Sequence, residues 1–294
     1  MELHFIHEVS QMEYQCCEGK CTLMKKVLII LFTIGLLMFI GFGLATYFEI
    51  KKGSNTPSHP LNYEKVYQKE DTSIKKLKVN SQLADVKVKR GKHFSVKAKS
   101  GDKEHTEITS KIKNGTLFVK EAHKGSKINF NVQGIKPTDI TITVPNRMLE
   151  KAELYNDTSD ITIEGLKAKQ VEAVTNTGDI QFKNSESKQL DLTSDTGDIE
   201  LLKTEFKDVS AQSDTGDVII KSINGDADID TSTDTGDIEL DYAKAPKNTK
   251  LINKTDEDNG SEIRVNQPQL KNEKYGQGNF KVQVDTDTGK VVIN

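Results

Sequence analysis

Asn176-Thr177-Gly178-Asp179-Ile180, Asp195-Thr196-Gly197-Asp198-Ile199, Asp214-Thr215-Gly216-Asp217-Val218 and Asp234-Thr235-Gly236-Asp237-Ile238 repeat one phrase, and Asn156-Asp157-Thr158-Ser159-Asp160-Ile161 is a looser copy. The third position falls at residues 159, 178, 197, 216 and 236, so the steps are 19, 19, 19 and 20 residues. A constant step is the mark of a repeat architecture. Each copy has an alternating segment before the turn (Leu190-Asp191-Leu192-Thr193, Val209-Ser210-Ala211-Gln212) and another after it (Asp198-Ile199-Glu200-Leu201, Asp237-Ile238-Glu239-Leu240). A period of two gives each strand one buried and one solvated face. Asp/Asn-Thr-Gly between them signals a tight turn, because Gly takes positive φ without strain and Asp or Asn bonds the nearby backbone. Gly178, Gly197, Gly216 and Gly236 are therefore read as structural turn positions.

One copy cannot bury its Ile, Leu and Val face alone, whereas stacked copies build a continuous core. Antiparallel hairpins of a sandwich would share the local pattern. The constant step, with the same residue types in register, favours coils stacked like on like. The expectation is an all-β chain forming a parallel β-solenoid with coils of about 19 residues.

Working outward, Ile74 to Val79, Ala84 to Val88 and Phe94 to Ala98 alternate cleanly, with Arg90-Gly91-Lys92 and Ser100-Gly101-Asp102 as turns. Thr116 to Val119 and Asp139 to Val144 continue the pattern, and these are expected to be less regular early coils. Downstream, Ser261 to Val265 and Phe280 to Val284 are further strands. Asp285-Thr286-Asp287-Thr288-Gly289-Lys290-Val291-Val292-Ile293 is a last copy of the turn, with Lys in place of the second Asp. Terminal repeats commonly depart from the pattern because they cap the stack.

Val27 to Phe48 is an uncharged run of 22 residues. At about 1.5 Å per residue it covers about 33 Å, enough for the hydrocarbon core of a bilayer. It reads as one transmembrane α-helix. Cleavage as a signal peptide is the rival, with Gly43-Leu44-Ala45 near the end of the run, but the run exceeds the usual apolar length of such peptides. Met24-Lys25-Lys26 resembles a bacterial membrane-protein start, so residues 1–23 are read as an over-long gene start. The expected organisation is a cytoplasmic tail at 1–26, the span at 27–48, a linker at 49–69 and the β-solenoid at 70–294. The short basic start and long polar remainder place the C-terminal domain outside the cytoplasm.

The net charge of −3 hides an asymmetry. Residues 64–136 carry 18 Lys+Arg against 8 Asp+Glu, and residues 137–294 carry 18 against 31. Solvated strand faces that happen to differ would explain this; so would a basic half facing anionic lipid or wall polymer. Cys16, Cys17 and Cys21 all precede the apolar run, so nothing after residue 21 forms a disulfide or thiolate site.

Asp139-Ile140-Thr141-Ile142-Thr143-Val144-Pro145, followed by Thr-Gly-Asp-Ile turns about 19 residues apart after a single membrane span, resembles the adhesin-type family of β-strand-repeat proteins. That family is a domain of unknown function and includes LiaG-like membrane proteins of Gram-positive bacteria. The resemblance spans residues 70–294. It implies a right-handed β-solenoid outside the membrane and an association with envelope-stress systems, and it carries over no catalytic residue.

The acidic residues of the turns form two columns, one of Asp195, Asp214 and Asp234 joined by Asn176, the other of Asp179, Asp198, Asp217 and Asp237 joined by Asp160. Stacking would place neighbours about 4.8 Å apart, so backbone N–H groups, Lys or a cation must compensate. The plain reading is turn carboxylates accepting backbone hydrogen bonds. The alternative is Ca²⁺ at Asp179, Asp198, Asp217 and Asp237, although the Gly-Gly-x-Gly-x-Asp pattern of calcium β-rolls is missing. All His residues lie at or before His123, so the repeats hold no His-based zinc site and no Ser-His-Asp triad. Paired carboxylates could cleave a glycan, but the coils are short and uniform, with no long insertion to wall a cleft. Trp is absent, which weighs against sugar stacking, and no nucleic-acid-binding motif occurs. The expected function is a non-enzymatic, membrane-anchored surface module with a binding or structural role at the envelope, using no cofactor. Its candidate partners are wall polymer or a membrane sensor, and a glycan-cleaving β-helical enzyme is the alternative.

Overall fold

A computed structural model describes residues 60–101, 103–124, 138–255 and 260–294. The tail, the apolar run at 27–48 and most of the linker lie outside the described residues. Among those described, no helix is long and apolar enough to cross a membrane.

The described chain is almost entirely strand. In order these are β1 (Leu61–Val66), β2 (Lys76–Ser81), β3 (Ala84–Gly91), β4 (Ser95–Ser100), β5 (Thr106–Lys113), β6 (Thr116–His123), β7 (Thr138–Pro145), β8 (Leu149–Thr158), β9 (Ile161–Glu164), β10 (Lys167–Thr177) and β11 (Ile180–Lys183). They continue as β12 (Glu186–Thr196), β13 (Ile199–Leu202), β14 (Asp208–Thr215), β15 (Val218–Asn224), β16 (Asp228–Thr235), β17 (Ile238–Lys244), β18 (Thr249–Asn253), β19 (Glu262–Val265), β20 (Phe280–Thr288) and β21 (Lys290–Ile293). A 3-10 turn, Pro268–Leu270, lies between β19 and β20.

Each repeat contributes a long strand to one sheet and a short strand to the other. The orders are β18-β20-β16-β14-β12-β10-β8-β2-β6-β5 and β1-β4-β7-β3-β9-β11-β13-β15-β17-β21-β19. Neighbouring repeats pair in parallel and in register: Ala173 faces Leu192, Leu192 faces Ala211 and Ala211 faces Thr231. The stacked parallel coils are the solenoid expected from the fixed step. The 20-residue step also has a location. Leu202 pairs with Lys221, an offset of 19, whereas Asp208 pairs with Asp228, an offset of 20. The extra residue therefore lies between Lys221 and Asp228, where β15 shifts register against β17 and Ser222 takes φ 70°.

Between the sheets, the inward phase of each strand stacks on its counterparts. Ile180, Phe182, Leu192, Ile199, Leu201, Val209, Ala211, Val218 and Ile220 are all fully buried. Each buried Ile, Leu or Phe contributes about 1.5–3 kcal/mol, which no single coil could retain alone.

Both ends depart from the simple stack. The coil β2/β3 lies between β6/β7 and β8/β9, and β20/β21 lies between β16/β17 and β18/β19, so chain order and stacking order differ. The N-terminal end is not purely parallel: β4 runs antiparallel to β7, β1 to β4 and β5 to β6. β1 lies within the stretch 49–69 read from sequence as linker. The hydroxyls of Tyr63 and Tyr67 both meet Ser110 Oγ of β5, tying the two sheet edges together. At the other end, the edge of β18 is covered by residues 273–275. There the Leu251 N–H donates to Glu273 O at 2.6 Å and the Tyr275 N–H to Thr249 O at 2.9 Å. Closing or covering an edge blocks uncontrolled strand addition.

Candidate functional site

The repeated turns form one corner of the solenoid, and three ladders run along it. In the first, the N–H of Gly178 donates to Thr196 O (2.8 Å), that of Gly197 to Thr215 O (2.9 Å), that of Gly216 to Thr235 O (3.0 Å) and that of Gly236 to Thr288 O (3.0 Å). These glycines have φ between 140° and 155°. A Cβ on Gly197 would sit 2.1 Å from Gly178 O, so the column excludes side chains by contact as well as by φ. Ser159 holds the same position at φ 153°, where its neighbour is the dissimilar turn after β2; its Oγ donates to Leu83 O at 3.1 Å.

The second ladder is made of the aspartates. The N–H of Asp198 donates to Asp179 Oδ1 (2.9 Å), that of Asp217 to Asp198 Oδ1 (2.8 Å), that of Asp237 to Asp217 Oδ1 (2.7 Å) and that of Lys290 to Asp237 Oδ1 (2.8 Å). Each of the four carboxylates offered to Ca²⁺ by the sequence thus commits an oxygen to the N–H of the next coil. Peptide dipoles stabilise the row of like charges. Among the described residues no group of three or more His, Cys, Asp or Glu is placed to hold a metal ion.

The third ladder is buried and was missed from sequence. Thr175, Ser194, Ser213, Thr233 and Thr286 are at most 4% exposed. The Ser194 hydroxyl donates to Gly178 O (3.1 Å), Ser213 to Gly197 O (2.9 Å), Thr233 to Gly216 O (2.9 Å) and Thr286 to Gly236 O (3.1 Å). The available signal was a Ser or Thr three residues before each turn Gly, on the apolar phase of its strand. Glu121 starts the corner at its N-terminal end. It is 2% exposed and accepts the Ser81 hydroxyl (3.1 Å) and the N–H groups of Gln82 (2.6 Å) and Leu83 (3.1 Å).

The outer faces carry the charge. On the sheet containing β3, β9, β11, β13, β15 and β17, acids and bases alternate down the columns, pairing Lys87 with Glu164 (3.6 Å), Lys183 with Glu200 (3.1 Å) and Lys221 with Glu239 (3.0 Å). On the other sheet, β2, β8 and β10 share a network in which Lys151 bridges Glu153 and Glu172, both at 3.0 Å, and Lys78 reaches Glu153 at 3.8 Å. The Tyr155 hydroxyl donates to Glu172 at 2.5 Å. Burial and that bonded carboxylate push the Tyr155 phenol up to about 12, and the same bond, helped by Lys151, holds Glu172 below the usual carboxylate range.

Further along this face the pairing stops. Asp191 and Asp195 of β12, Asp208 and Asp214 of β14, Asp228, Asp230 and Asp234 of β16, and Asp285 and Asp287 of β20 all occupy the outward phase. Among the described residues none of them is in an ion pair with Lys or Arg. Two have raised pKa values: partial burial and then Asp228, Asp191 and Asp230 push Asp208 up, and partial burial and then Asp287 push Asp285 up. Sequence counting found the acidic half but not that its charge collects on one face.

The opposite corner is irregular. The extra residue after Lys221 helps form an open hollow of about 240 Å³, lined by Thr204, Phe206, Ile223, Asp226, Ala227 and Lys244 among others. Asp226 is pushed up by burial, but the N–H groups of Asn248 and Lys247 and the Thr249 hydroxyl outweigh this and hold it low. Three histidines lie elsewhere: His93 contacts Asp71 at 2.7 Å, and the rings of His105 and His123 stack at 5.8 Å.

The fold and its corner define a class: a two-sheet, parallel β-solenoid locked by a Thr-Gly-Asp turn ladder. The chain belongs to the Toastrack DUF4097 family, whose model matches residues 74–254 and 146–294. No curated protein matches it. Among solved structures it is similar to a "putative cell adhesion protein" from Clostridium sporogenes (12% identity, 80% of this chain and 99% of that one, TM-score 0.40). It is also similar to a "putative adhesin" from Bacteroides fragilis (14%, 81% and 99%, TM-score 0.42). A third is a "putative lipid binding protein" from Parabacteroides distasonis (13%, 80% and 94%, TM-score 0.36).

Proposed function

We propose that this protein is a non-enzymatic, adhesin-type binding module of the cell envelope. One span at 27–48 holds it in the cell membrane, and its solenoid is displayed outside the cytoplasm. The right-handed winding expected of the family agrees with the general hand of parallel strand crossovers. The observation that carries the proposal is the segregation of charge: lysines concentrate in residues 64–136, nearest the span in sequence, while the aspartates of β12, β14, β16 and β20 face outward with no ion pair among the described residues. A flat acidic face suits cationic groups on wall polymer or on a partner protein. The Lys-rich end suits anionic lipid, where surface attraction amounts to about 1 kcal/mol per basic residue. An accessory role in envelope-stress sensing follows if the partner is a membrane sensor.

The test is co-sedimentation of residues 60–294 with purified walls and, separately, with membranes, each in Ca²⁺ and in chelator. Expected is wall binding that weakens with salt and is lost in an Asp191→Asn, Asp230→Asn, Asp285→Asn variant. Binding to membranes alone moves the function to a sensor partner or lipid. Release of reducing ends from wall polysaccharide, abolished by Asp198→Asn, would make the protein an enzyme.

A further inference from the structure

The outward phase of β5, β6 and β2 gathers lysines with almost no acid between them. Lys111 and Lys113 of β5, Lys120 of β6, and Lys76 and Lys78 of β2 stand on one face of the sheet. Lys78 reaches Glu153 at 3.8 Å, and the other four are in no ion pair among the described residues. Glu107, the carboxylate on the outward phase of these strands, is taken by Lys124 at 2.7 Å. Phe118 lies in the middle: it is opposite Lys111 on β5 and opposite Lys78 on β2. Leu117 and Val119 on either side of it fill the core, so the partly exposed ring stands on the lysine face. Like charges on adjacent strands repel, and the fold leaves this repulsion uncompensated here. It does not do so nearby: Lys151 bridges Glu153 and Glu172 one strand further on, and on the other sheet Lys87 and Lys97 have Glu164 and Glu64.

We propose that this face of β5, β6 and β2 docks on anionic lipid headgroups, holding the solenoid on the bilayer by its lysine end with the aspartate end directed away. The docking rests on the membrane anchoring proposed above and adds to it the face, the ligand and the orientation. The charges are complementary to a lipid surface, and an aromatic ring among lysines fits the boundary between headgroups and acyl chains, with the lysine stems spread along it. A soluble polyanion would use the charges and gain nothing from the ring. The chain also enters at this end of the stack. Residues 49–60 alone separate the apolar run from β1 in sequence, and Lys65 Nζ of β1 donates to Ser110 O of β5 at 3.1 Å. The acidic columns do not oppose the docking. Along the row Lys111, Phe118, Lys78, Glu153, Glu172 and Asp191, the aspartate comes three strand steps after Lys78. That is about 14 Å at about 4.8 Å per step, beyond the screening length of about 8 Å at physiological salt.

The full chain, with Cys16→Ser, Cys17→Ser and Cys21→Ser, is reconstituted with phosphatidylcholine vesicles that carry a lipid-borne quencher, with or without phosphatidylglycerol. A fluorophore is attached through Thr109→Cys on β5 or through Ser232→Cys on β16. These positions share one outward column, seven strand steps or about 34 Å apart. Flotation reports the anchor and quenching reports the docked face. Expected are flotation in both lipids, quenching at Thr109 only with phosphatidylglycerol, and none at Ser232. Quenching should reverse in about 1 M salt, where the screening length falls to about 3 Å. Lys76→Gln, Lys111→Gln, Lys113→Gln and Lys120→Gln should each lower the docked-to-free ratio about fivefold. Lys87→Gln, Lys89→Gln, Lys97→Gln and Lys99→Gln, on the other sheet, should together leave it unchanged. Phe118→Thr should weaken docking without altering its salt dependence. Flotation in both lipids without quenching at Thr109, or quenching that survives the four changes on the docking face, overturns the docking and leaves the anchor standing. Flotation only with phosphatidylglycerol, lost in that fourfold variant, upholds the docking and removes the anchor; no flotation in either lipid removes both. Polyphosphate held through the same lysines, by a chain whose Thr109 probe is not quenched, assigns the face to a soluble polyanion and also overturns the docking.

Discussion

Gly197→Ala should be among the most damaging single-methyl changes available in this chain. The new Cβ would stand 2.1 Å from Gly178 O and 2.5 Å from Gly178 C, both backbone atoms of the coil beneath. A side chain at φ 146° costs about 1–3 kcal/mol by itself. Relief of the contact requires the coils to part. That weakens three bonds at the corner: Gly178 N–H to Thr196 O, Ser194 Oγ to Gly178 O and Asp198 N–H to Asp179 Oδ1. At about 0.5–1.5 kcal/mol each they add about 1.5–4.5 kcal/mol. The total of about 2.5–7.5 kcal/mol is a large part of the roughly 5–15 kcal/mol typical of a folded domain. The assay is urea unfolding of residues 60–294, comparing midpoints and slopes with the parent. Because solenoid stability is a sum over coils and interfaces, a break in the middle of the stack should also split the transition into two phases. Gly260→Ala is the control: Gly260 has φ +87° but nothing within 4 Å of a new Cβ, so it reports the backbone cost alone, about 1–2 kcal/mol. If Gly197→Ala loses no more stability than Gly260→Ala, the close approach of the coils is not what requires glycine.

Other expectations follow from the same geometry. Ser194→Ala leaves the buried Gly178 carbonyl without its side-chain donor and should cost about 1–3 kcal/mol, whereas Ser194→Thr, the residue found at the equivalent positions 175 and 233, should stay within about 1 kcal/mol of the parent; the urea midpoint measures both. Asp208 is held above its unfolded pKa, so its contribution to stability is fully present below the unfolded value and is lost as pH rises through the folded one. Asp208→Asn should therefore raise the melting temperature at pH 7, with the gain shrinking as pH falls through the carboxylate range; a loss at pH 7 would contradict the crowding of charge on that face. Ca²⁺ should leave the melting temperature of residues 60–294 where chelator leaves it, because Asp179, Asp198, Asp217 and Asp237 each already hold a backbone N–H. A rise that grows with Ca²⁺ concentration would show a bound ion by linkage.

The parallel stacking of residues 149–244 was legible in the sequence because one physical constraint repeats. The period-two alternation needs a core, the turn needs a residue without Cβ, and the step between turns sets the coil. Even the irregular step of 20 residues marked a real event, the inserted residue between Lys221 and Asp228. The aspartates that recur after each Gly were read both as ion ligands and as backbone acceptors, and only coordinates could show their oxygens bonded to N–H groups one coil away. The buried Ser and Thr ladder was harder to see, since a hydroxyl in the apolar phase of a strand looks like a flaw until its carbonyl partner is known.

What the sequence alone determined is the unit: strand, turn, strand, with a glycine at the turn of every regular copy and an inward apolar face. What the tertiary structure decided is everything that depends on how units meet without repeating. The β2/β3 and β20/β21 coils sit inside rather than outside their neighbours, the chain entering β1 turns antiparallel and closes the stack with Tyr63 and Tyr67, and the aspartates that have no ion pair among the described residues gather on one sheet. These outcomes rest on contacts between residues far apart in sequence, such as Lys290 with Asp237, 53 positions apart, and Ser159 with Leu83, 76 positions apart. No local period encodes them, because burial and edge closure are properties of the assembled stack.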